Sequence, residues 1–417
     1  MTQLSDDCFA FGGALLTVDA ALAQIEQRVV PVVEREMAPL EAARGRILAR
    51  DVVATMNLPP HANSAVDGYA IAHADLMPDR ETALPVSGRA AAGHPLGRPV
   101  ERGEAIRIFT GAPMPEGTDT VMMQEDCIVE KERVRLKPGI RKGANRRHAG
   151  EDVAEGTIAL AAGRRLRAPD LGLAAALGHR ELPVFRALRV ALLSTGDEVR
   201  EPGTALPSGA IYDANRFMLA ALLSGLGCEV SDFGIRPDRE AALTDTLAAA
   251  SAEHDLIVTS GGVSTGDEDY VKSAAERLGS LYFWRLAIKP GRPVALGQVG
   301  GIPLIGLPGN PVAVIVTFVV LARPLILRLA GAATSAPRLF RARAGFVYRK
   351  KPGRREYVRA SLQRDGDTVV AVRYPRDGAG ILSSIVQSDG LAILYEDMGD
   401  LAAGAMIDFL PFAEVIG

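Results

Sequence analysis

The 417-residue sequence lacks the motifs that mark the commonest nucleotide-binding proteins. It contains no GxxxxGK[ST] loop and no GxGxxG turn, which excludes an ordinary P-loop protein and a dinucleotide-binding fold. Lysine is scarce, at 7 of 47 basic residues, and the net charge is −3. This balance argues against a general nucleic-acid-binding protein.

Cysteines and long apolar segments are also few. Cys8, Cys127 and Cys228 are odd in number and share no metal or redox spacing, so a reducing cytoplasm is the expected location. No basic segment followed by an apolar stretch opens the chain, so we expect no secretion signal. The longest apolar run, 312–322, has 11 residues and fits a buried helix. We therefore expect no membrane and no nucleic acid among the partners.

Hydrophobic patterning predicts a multidomain protein of the α/β class with β-rich domains, because 417 residues exceed one core. The predicted domains are a discontinuous helical domain at 1–54 and 156–186, with helical patterns over 14–50 and around 171–177, an inserted β-rich domain at 55–155, an α/β domain at 187–334 and a C-terminal β domain at 335–417. Within the α/β domain we predict strands at 189–193, 228–233, 255–259 and 302–306, and helices at 215–226, 238–252, 269–279 and 311–330. This alternation predicts a parallel sheet that is covered on both faces.

The most informative segment, 255–269, combines a strand, a glycine turn and the start of a helix. Small residues and hydroxyls come first, and three acids, Asp267, Glu268 and Asp269, follow. Free backbone N–H groups at such a turn suit an anion, and the acids fit beside it if a divalent cation bridges phosphate and carboxylate. The alternative is a tight turn whose acids cap the next helix. The loop alone leaves both interpretations open.

Two other strand ends repeat the design. Residues 194–198 read Ser-Thr-Gly-Asp-Glu after an apolar strand, and residues 307–311 read Leu-Pro-Gly-Asn-Pro. Asn310 suits a helix N-cap and Pro311 the first helical position. Ligands of open α/β sheets bind outside the carboxyl ends of the strands, so these three loops predict one binding site.

Other polar segments carry weaker signals. Residues 289–293 read Lys-Pro-Gly-Arg-Pro, a stiff loop that aims two cations and is suited to an oxyanion, although a solvated surface turn is the alternative. In the β-rich insertion, Asp67 ends a polar loop, Thr110 and Glu125 follow strand-like runs, and Asp152 lies in a loop of mixed charge. Each of these is also compatible with an ordinary turn or surface.

Taken together, these stretches resemble the MoeA family, the molybdopterin molybdenumtransferases, which includes the E domain of gephyrin. Nine motifs occur in the family's order over some 250 residues. They are NSAVDGYA at 63–70, RIFTGAPMP at 107–115, MQED at 123–126, GEDV at 150–153, STGDE at 194–198, IYDAN at 211–215, SGGVSTGDED at 260–269, KPGRP at 289–293 and LPGNP at 307–311.

The resemblance implies a central molybdopterin-binding α/β domain, an inserted β-rich domain and a C-terminal β-barrel-like domain. It implies insertion of molybdate into adenylylated molybdopterin with release of AMP, helped by Mg²⁺. It also implies a homodimer with a site shared between subunits. Further implied partners are the molybdopterin adenylyltransferase of the pathway and molybdoenzyme maturation factors.

Site residues follow from the same resemblance. Those implied at the nucleotide, pyrophosphate and Mg²⁺ site are Ser194, Thr195, Gly196, Glu198, Asp238, Gly261, Gly262, Ser264 and Asp269, with Glu198, Asp238 and Asp269 as metal ligands. Those implied at the molybdate pocket are Lys289, Arg292, Pro293, Arg359 and Ser383 or Ser384. Those implied to reach the partner's site are Asp67, Thr110, Glu125 and Asp152. Catalytic roles fall to Asp269, Glu198, Asp67, Asp152, Lys289 and Arg292.

The sequence departs from the family pattern at His61-Ala62, at Arg292 where Lys is common, and at Ala313 where Ser is frequent. Two other functions remain as alternatives. A molybdopterin adenylyltransferase uses a similar α/β domain but as a short chain. A non-enzymatic scaffold like part of gephyrin would need a linker and an interaction region, and the sequence has no long disordered tract.

Overall fold

The computed structural model describes residues 15–262, 270–333 and 336–416. The chain divides into two compact units. The larger unit comprises Met1–Arg50, Ala162–Arg167 and Pro183–Gly417, and the smaller unit comprises Asp51–Ala161 and Ala168–Leu182. The predicted four-domain division stays a prediction.

A six-stranded sheet forms the centre of the larger unit. Its first four strands are parallel and occur in the order Glu229–Arg236, Arg189–Thr195, Leu256–Ser260 and Ile302–Leu307. They confirm the four predicted strands. Two antiparallel strands, Pro293–Val299 and Gly279–Arg285, extend the sheet. The patterning did not predict this hairpin, since it followed strand–helix alternation and no helix separates these two strands.

Both faces of this sheet are buried, as predicted. Along one strand, Val190 and Leu192 pack into one apolar cluster, whereas Ala191 and Leu193 pack into the other. Successive side chains of a strand point to opposite faces, so a strand covered on both sides is apolar throughout. The α-helices of this region are Asn215–Gly225, Glu240–Glu253, Tyr270–Leu278, Pro311–Thr317 and Arg323–Leu329.

The last two of these helices are joined by a π-helical stretch, Phe318–Ala322, into one helix. By length and composition the helix Pro311–Leu329 could cross a membrane, yet 89% of its most apolar window is buried inside the protein. It is a core helix, which confirms the prediction for the apolar run.

The predicted helical pattern over 14–50 is wrong in its second half. The helix Val18–Arg28 forms and buries Val18, Ala21 and Ile25. A strand, Arg35–Pro39, and a 3₁₀ turn, Leu40–Ala42, then replace the expected helix. Pro31 and Pro39 and the β-branched valines between residues 29 and 33 disfavour continued helix.

The C-terminal strands close into a five-stranded barrel, since Arg355–Asp365 pairs with both Thr368–Arg373 and Gly390–Leu394. Phe340–Ala344 and Met406–Pro411 complete the ring. The short strand Ile288–Lys289 pairs in parallel with Arg355 and Glu356, at the start of one strand of this ring. The short helices of this region are Ser383–Val386 and Phe412–Val415.

The smaller unit is β-rich and contains a six-stranded sheet. Its strands, in spatial order, are Thr120–Met123, Gly68–Ile71, Ala105–Ile108, Thr82–Ala90, Arg133–Leu136 and Cys127–Glu130. Its remaining elements are Val52–Val53, Asn63–Ser64, Arg146–Arg147, Ile158–Leu160, the 3₁₀ turns His73–Asp75 and Gln124–Asp126, and the predicted helix at Ala168–Ala176. Three further short strands are Glu181–Phe185, which spans the boundary at residue 182, and Val199–Arg200 and Ile211–Tyr212 of the larger unit.

Candidate functional site

The carboxyl ends of two central strands lie side by side in the larger unit. Ser194 of one strand pairs in register with Ser260 of the next. The hydroxyl oxygens of Ser194 and Thr259 are buried and have no hydrogen-bond partner among the described residues. Because a buried hydroxyl without a partner is costly, these groups mark the sheet edge as a place for a polar ligand.

Two glycines allow the loops at this edge to approach each other. Gly261 has a φ of +85°, and a Cβ at this position would lie 2.8 Å from the carbonyl oxygen of Thr195. Gly262 has a φ of +63°, and a Cβ there would lie 2.3 Å from Cγ2 of Val271. Only glycine combines this conformation with this space, so both predicted glycines are required by the backbone.

Carboxylates gather at the same edge. Gly196, with a φ of +136°, turns the chain so closely that a Cβ there would lie 2.7 Å from Oε2 of Glu198. The backbone N–H of Asp238 donates to Oδ1 of Asp197 at 3.5 Å. Burial raises the pKa of Asp238, and the charges of Asp197 and Glu198 raise it further. Like charges placed this close favour a bound cation.

The implied metal site is only partly within the described chain. Glu198 and Asp238 lie close enough for their charges to interact. The third implied ligand, Asp269, and the implied phosphate ligand Ser264 lie outside the described residues. Within residues 15–262, 270–333 and 336–416, no three His, Cys, Asp or Glu side chains form a group that could hold a metal ion. The three metal ligands therefore stay a prediction.

The third predicted strand-end loop begins the core helix. Asn310 is the N-cap residue and Pro311 the first helical residue, as predicted, although the Asn310 side chain makes no capping hydrogen bond. The Asn215 side chain donates to the carbonyl oxygen of Gly309 at 2.7 Å. Asn215 therefore ties the start of its helix to this loop, a role that the patterning did not assign.

A second group of polar side chains lies where the short strand Ile288–Lys289 joins the barrel. The ammonium of Lys289 donates to the Tyr348 hydroxyl at 3.0 Å and to Oε2 of Glu356 at 3.1 Å. Arg354 donates to Oε1 of the same carboxylate at 2.9 Å. Burial tends to raise the pKa of Glu356, but its three hydrogen-bond donors outweigh burial and hold that pKa below its usual value.

Arg359, from the same strand as Glu356, is also held in a fixed position. It is 7% exposed, and its Nε donates to the Ser384 hydroxyl at 3.0 Å. Ser384 in turn donates to the carbonyl oxygen of Ile381 at 2.6 Å, so its hydroxyl is committed to holding Arg359. The neighbouring Ser383 hydroxyl lies 3.3 Å from the Tyr374 hydroxyl. Of the two serines left open by the sequence, Ser383 is the less committed.

Arg373 links these groups. Its guanidinium lies 5.0 Å from the centre of the Tyr348 ring, while the Lys289 ammonium lies 5.5 Å from that same centre.

Two other residues predicted for the molybdate pocket lie in and after the loop that follows Lys289. Arg292 is exposed and Pro293 begins a sheet strand. The core helix also reaches this region, because the Val312 N–H donates to the carbonyl oxygen of Ala379 at 2.9 Å.

A separate polar group lies in the smaller unit. Oδ1 of Asp67 accepts hydrogen bonds from the Thr110 backbone N–H at 2.8 Å and from its hydroxyl at 2.9 Å. The backbone hydrogen bond and then the side-chain one lower the pKa of Asp67. The sheet therefore brings these two predicted residues together and keeps the carboxylate ionised.

Arg107 extends this group. It donates to the carbonyl oxygen of Gly68 at 3.1 Å and to Oε1 of Gln124 at 2.6 Å. The Gln124 side chain also donates to the Glu125 carboxylate at 3.2 Å. Asp152 is exposed in another loop, where its backbone N–H donates to the carbonyl oxygen of Leu58. These hydrogen bonds connect Glu125 to Arg107 through Gln124, whereas Asp152 lies in a different loop.

Comparison with protein families matches three models along the chain. They are the MoeA N-terminal region (domain I and II) at residues 16–178, a probable molybdopterin binding domain at 191–328 and the MoeA C-terminal region (domain IV) at 341–412. A molybdopterin molybdenumtransferase of Haemophilus influenzae is 37% identical over 406 residues, covering 97% of this chain and 100% of that protein. The chain belongs to the MoeA family.

Other MoeA relatives support the same assignment. A molybdopterin molybdenumtransferase 2 of Mycobacterium tuberculosis is 36% identical over 92% of this chain and 98% of its own. A solved MoeA structure from Pyrococcus horikoshii superposes with a TM-score of 0.81 at 28% identity, over 95% of this chain and 100% of that one. The family and the fold class inferred from the motifs are therefore confirmed.

The roles of individual residues in this MoeA chain stay predictions. The structure brings Glu198 and Asp238 together, Lys289 into the barrel network, and Asp67 beside Thr110. Sequence reasoning missed Glu356, Tyr348, Arg373 and Tyr374. No local pattern marked Glu356, because residues 355–360 include three charged side chains, and the burial of this stretch became clear only in the structure.

Proposed function

We propose that this MoeA protein is a molybdopterin molybdenumtransferase that inserts molybdate into adenylylated molybdopterin and releases AMP. One observation carries the proposal: the larger unit holds an acidic sheet edge and a basic group at the barrel. A phosphoanhydride with its cation suits the former. A tetrahedral dianion such as molybdate suits the latter. The names of the relatives agree with molybdopterin and molybdate as the substrates.

The reaction needs the anhydride to be held while the oxygen of a water molecule forms a new bond to one phosphorus, the bridging P–O bond breaks and AMP departs with its phosphate. The Ser194 hydroxyl, which has no partner among the described residues, supports a role in binding a phosphoryl oxygen. The glycine turn at 261–262 leaves space for the substrate to approach the backbone. Thr195 and Gly196 complete this proposed edge, with Ser264 added by the resemblance.

The donor set at the sheet edge fits Mg²⁺. Oxygen ligands suit this ion, and the raised pKa of Asp238, caused by burial and by neighbouring carboxylates, fits a place where a cation relieves repulsion. Glu198 and Asp238 would hold the ion together with Asp269. When bound, Mg²⁺ supplies neutralisation of phosphate charge as the anhydride breaks.

The basic group is proposed as the molybdate pocket. Lys289 and Arg359 supply charge from fixed positions, Arg292 supplies a more exposed charge, and the Ser383 hydroxyl supplies a neutral donor. Ser384 holds Arg359 rather than the ligand. Pro293 limits the freedom of the loop that carries both Lys289 and Arg292.

We also propose a cytoplasmic homodimer in which Asp67, Thr110, Glu125 and Asp152 of one subunit complete the site of the other. The unpaired state of Cys127 and Cys228 supports a reducing compartment. The adenylyltransferase of the pathway would supply the substrate, and molybdoenzyme maturation factors would receive the product. These partners rest on the family resemblance.

The deciding experiment incubates the protein with adenylylated molybdopterin, Mg²⁺ and molybdate and measures AMP. We expect AMP release that depends on molybdate. A molybdopterin adenylyltransferase would instead release pyrophosphate from ATP in the presence of molybdopterin. A scaffold without activity would release neither product, and either of these results would overturn the proposal.

A further inference from the structure

The Lys289 ammonium is held from one side by a buried carboxylate. Lys289 and Glu356 are register partners in adjacent parallel strands, so the backbone pairing itself places the two side chains together. The Glu356 side chain is 2% exposed, whereas that of Lys289 is 46% exposed. The buried member of the pair therefore anchors an ammonium that remains accessible.

The hydrogen bonds leave the ammonium with one donor to spare. An ammonium has three N–H groups. Two of them point to Oε2 of Glu356 and to the Tyr348 hydroxyl. Tyr348 also donates to that same Oε2 at 2.7 Å, which closes a three-membered hydrogen-bonded ring. Fixing two N–H groups fixes the direction of the third.

We propose that Glu356 is a positioning residue for oxyanion binding: directly and through Tyr348, it aims the free N–H of Lys289 at molybdate. This inference rests on the proposed function, because it assigns the accessible face of Lys289 to that substrate. Arg354 donates to the other oxygen of Glu356 and keeps the carboxylate from turning away. Glu356 itself does not touch the substrate.

Charge alone predicts the opposite effect of removing this carboxylate. A buried negative group near a dianion repels it, so neutralising Glu356 would strengthen molybdate binding. If Glu356 aims Lys289, neutralising it weakens binding, because the ammonium then loses its fixed direction. The sign of the change in affinity therefore separates the two roles.

The test is calorimetric titration of sodium molybdate into the full-length protein and its variants. We expect Glu356→Gln to weaken molybdate binding roughly 10-fold, in the range for one charge-assisted contact. The matched control is Glu396→Gln, which removes a carboxylate that accepts from Arg355 at 3.0 Å and does not contact Lys289. The control should bind molybdate as the wild type does. Equal or tighter binding by Glu356→Gln would overturn the inference.

Two further variants keep the inference testable if Glu356→Gln does not fold. Tyr348→Phe removes one anchor without changing charge and should weaken binding roughly 3-fold. Glu356→Asp keeps the charge but shortens the reach, so it should also weaken binding, whereas a purely electrostatic role predicts wild-type affinity. Unchanged binding in both variants contradicts the inference. Failure of the wild type to bind molybdate would instead overturn the proposed function.

Discussion

Two regions of the larger unit shift the pKa of a carboxylate in opposite directions. They are the sheet edge around Asp238 and the barrel group, the polar side chains around Lys289 and Glu356. At the sheet edge, burial and the charges of Asp197 and Glu198 raise the pKa of Asp238. In the barrel, Tyr348, Lys289 and Arg354 hold the pKa of Glu356 below its usual value despite burial. A bound cation would relieve the repulsion between the carboxylates at the sheet edge. The negative charge of Glu356 is already balanced by Lys289 and Arg354.

The difference in net charge shows what each region can bind. Lys289, Arg292, Arg354, Arg359 and Arg373 bring positive charge to the barrel group, and only Glu356 and Asp377 oppose it among the described carboxylates paired with these side chains, so the balance is positive. The sheet edge presents Asp197, Glu198 and Asp238. With Asp269 added by the family resemblance, the negative sheet edge fits the proposed cation on a phosphoanhydride, whereas the positive barrel group fits a dianion.

The largest expected effect is at the sheet edge. Asp238→Asn keeps the size of the side chain and removes its charge, so Mg²⁺-supported AMP release should fall by roughly 10²-fold. Molybdate affinity should not change, because the charge lost belongs to the other region. Asp245→Asn, an exposed change in the following helix, is the matched control. Near wild-type turnover of Asp238→Asn at saturating Mg²⁺ would remove Asp238 from the cation site.

The next prediction concerns the group in the smaller unit. Asp67→Ala should abolish most activity if its carboxylate, held by Thr110, acts in the partner's site. Mixing Asp67→Ala with Asp238→Ala subunits should restore about a quarter of the wild-type activity, since half of the dimers would be mixed and each would hold one intact site of two. Mixed dimers that form but show no activity would refute sharing of the site.

At the barrel group, removal of single cations should affect one ligand only. Lys289→Ala and Arg292→Ala should weaken molybdate binding roughly 10- to 100-fold, the range for a lost charge-assisted contact. Lys289→Ala is expected at the upper end, because Lys289 is the more firmly held. Tungstate should lose affinity in parallel, and adenylylated molybdopterin should bind as before. Loss of nucleotide binding with molybdate binding retained would reverse the assignment.

The same two regions show how far the sequence alone can predict a site. The sheet edge is built from short contiguous segments, and its glycines, acids and hydroxyls were visible as motifs. Asp238 is the exception, since it comes from a strand end without a motif of its own. It was assigned by family resemblance, and the parallel strand pairing that ends at Arg236 and leads Asp238 to Asp197 became clear in the structure.

The barrel network could not be read from local pattern. Lys289 and Glu356 are 67 residues apart in the chain, and Arg359 and Ser384 are 25 apart. Their meeting depends on barrel closure and on one short strand that pairs with the start of a barrel strand. Alternation and composition predict that the C-terminal region is β-structure, but they do not specify which strands become neighbours.

The smallest expected effect is on stability, and its sign should differ between the two regions. The folded-state pKa of Asp238 is raised, so protonation stabilises the fold and this contribution is lost as the pH rises through that pKa. At pH 7, without Mg²⁺, Asp238→Asn mimics the protonated form and should raise the unfolding midpoint by about 1–2 °C.

The folded-state pKa of Glu356 is lowered, so its ionised form contributes stability above an unfolded pKa of about 4.3. Glu356→Gln should therefore lower the midpoint at pH 7, and its difference from wild type should shrink as the pH falls through the folded pKa. Differential scanning calorimetry measures both changes. Shifts of the same sign in the two variants would contradict the contrast between Asp238, which neighbouring carboxylates repel, and Glu356, which cations stabilise.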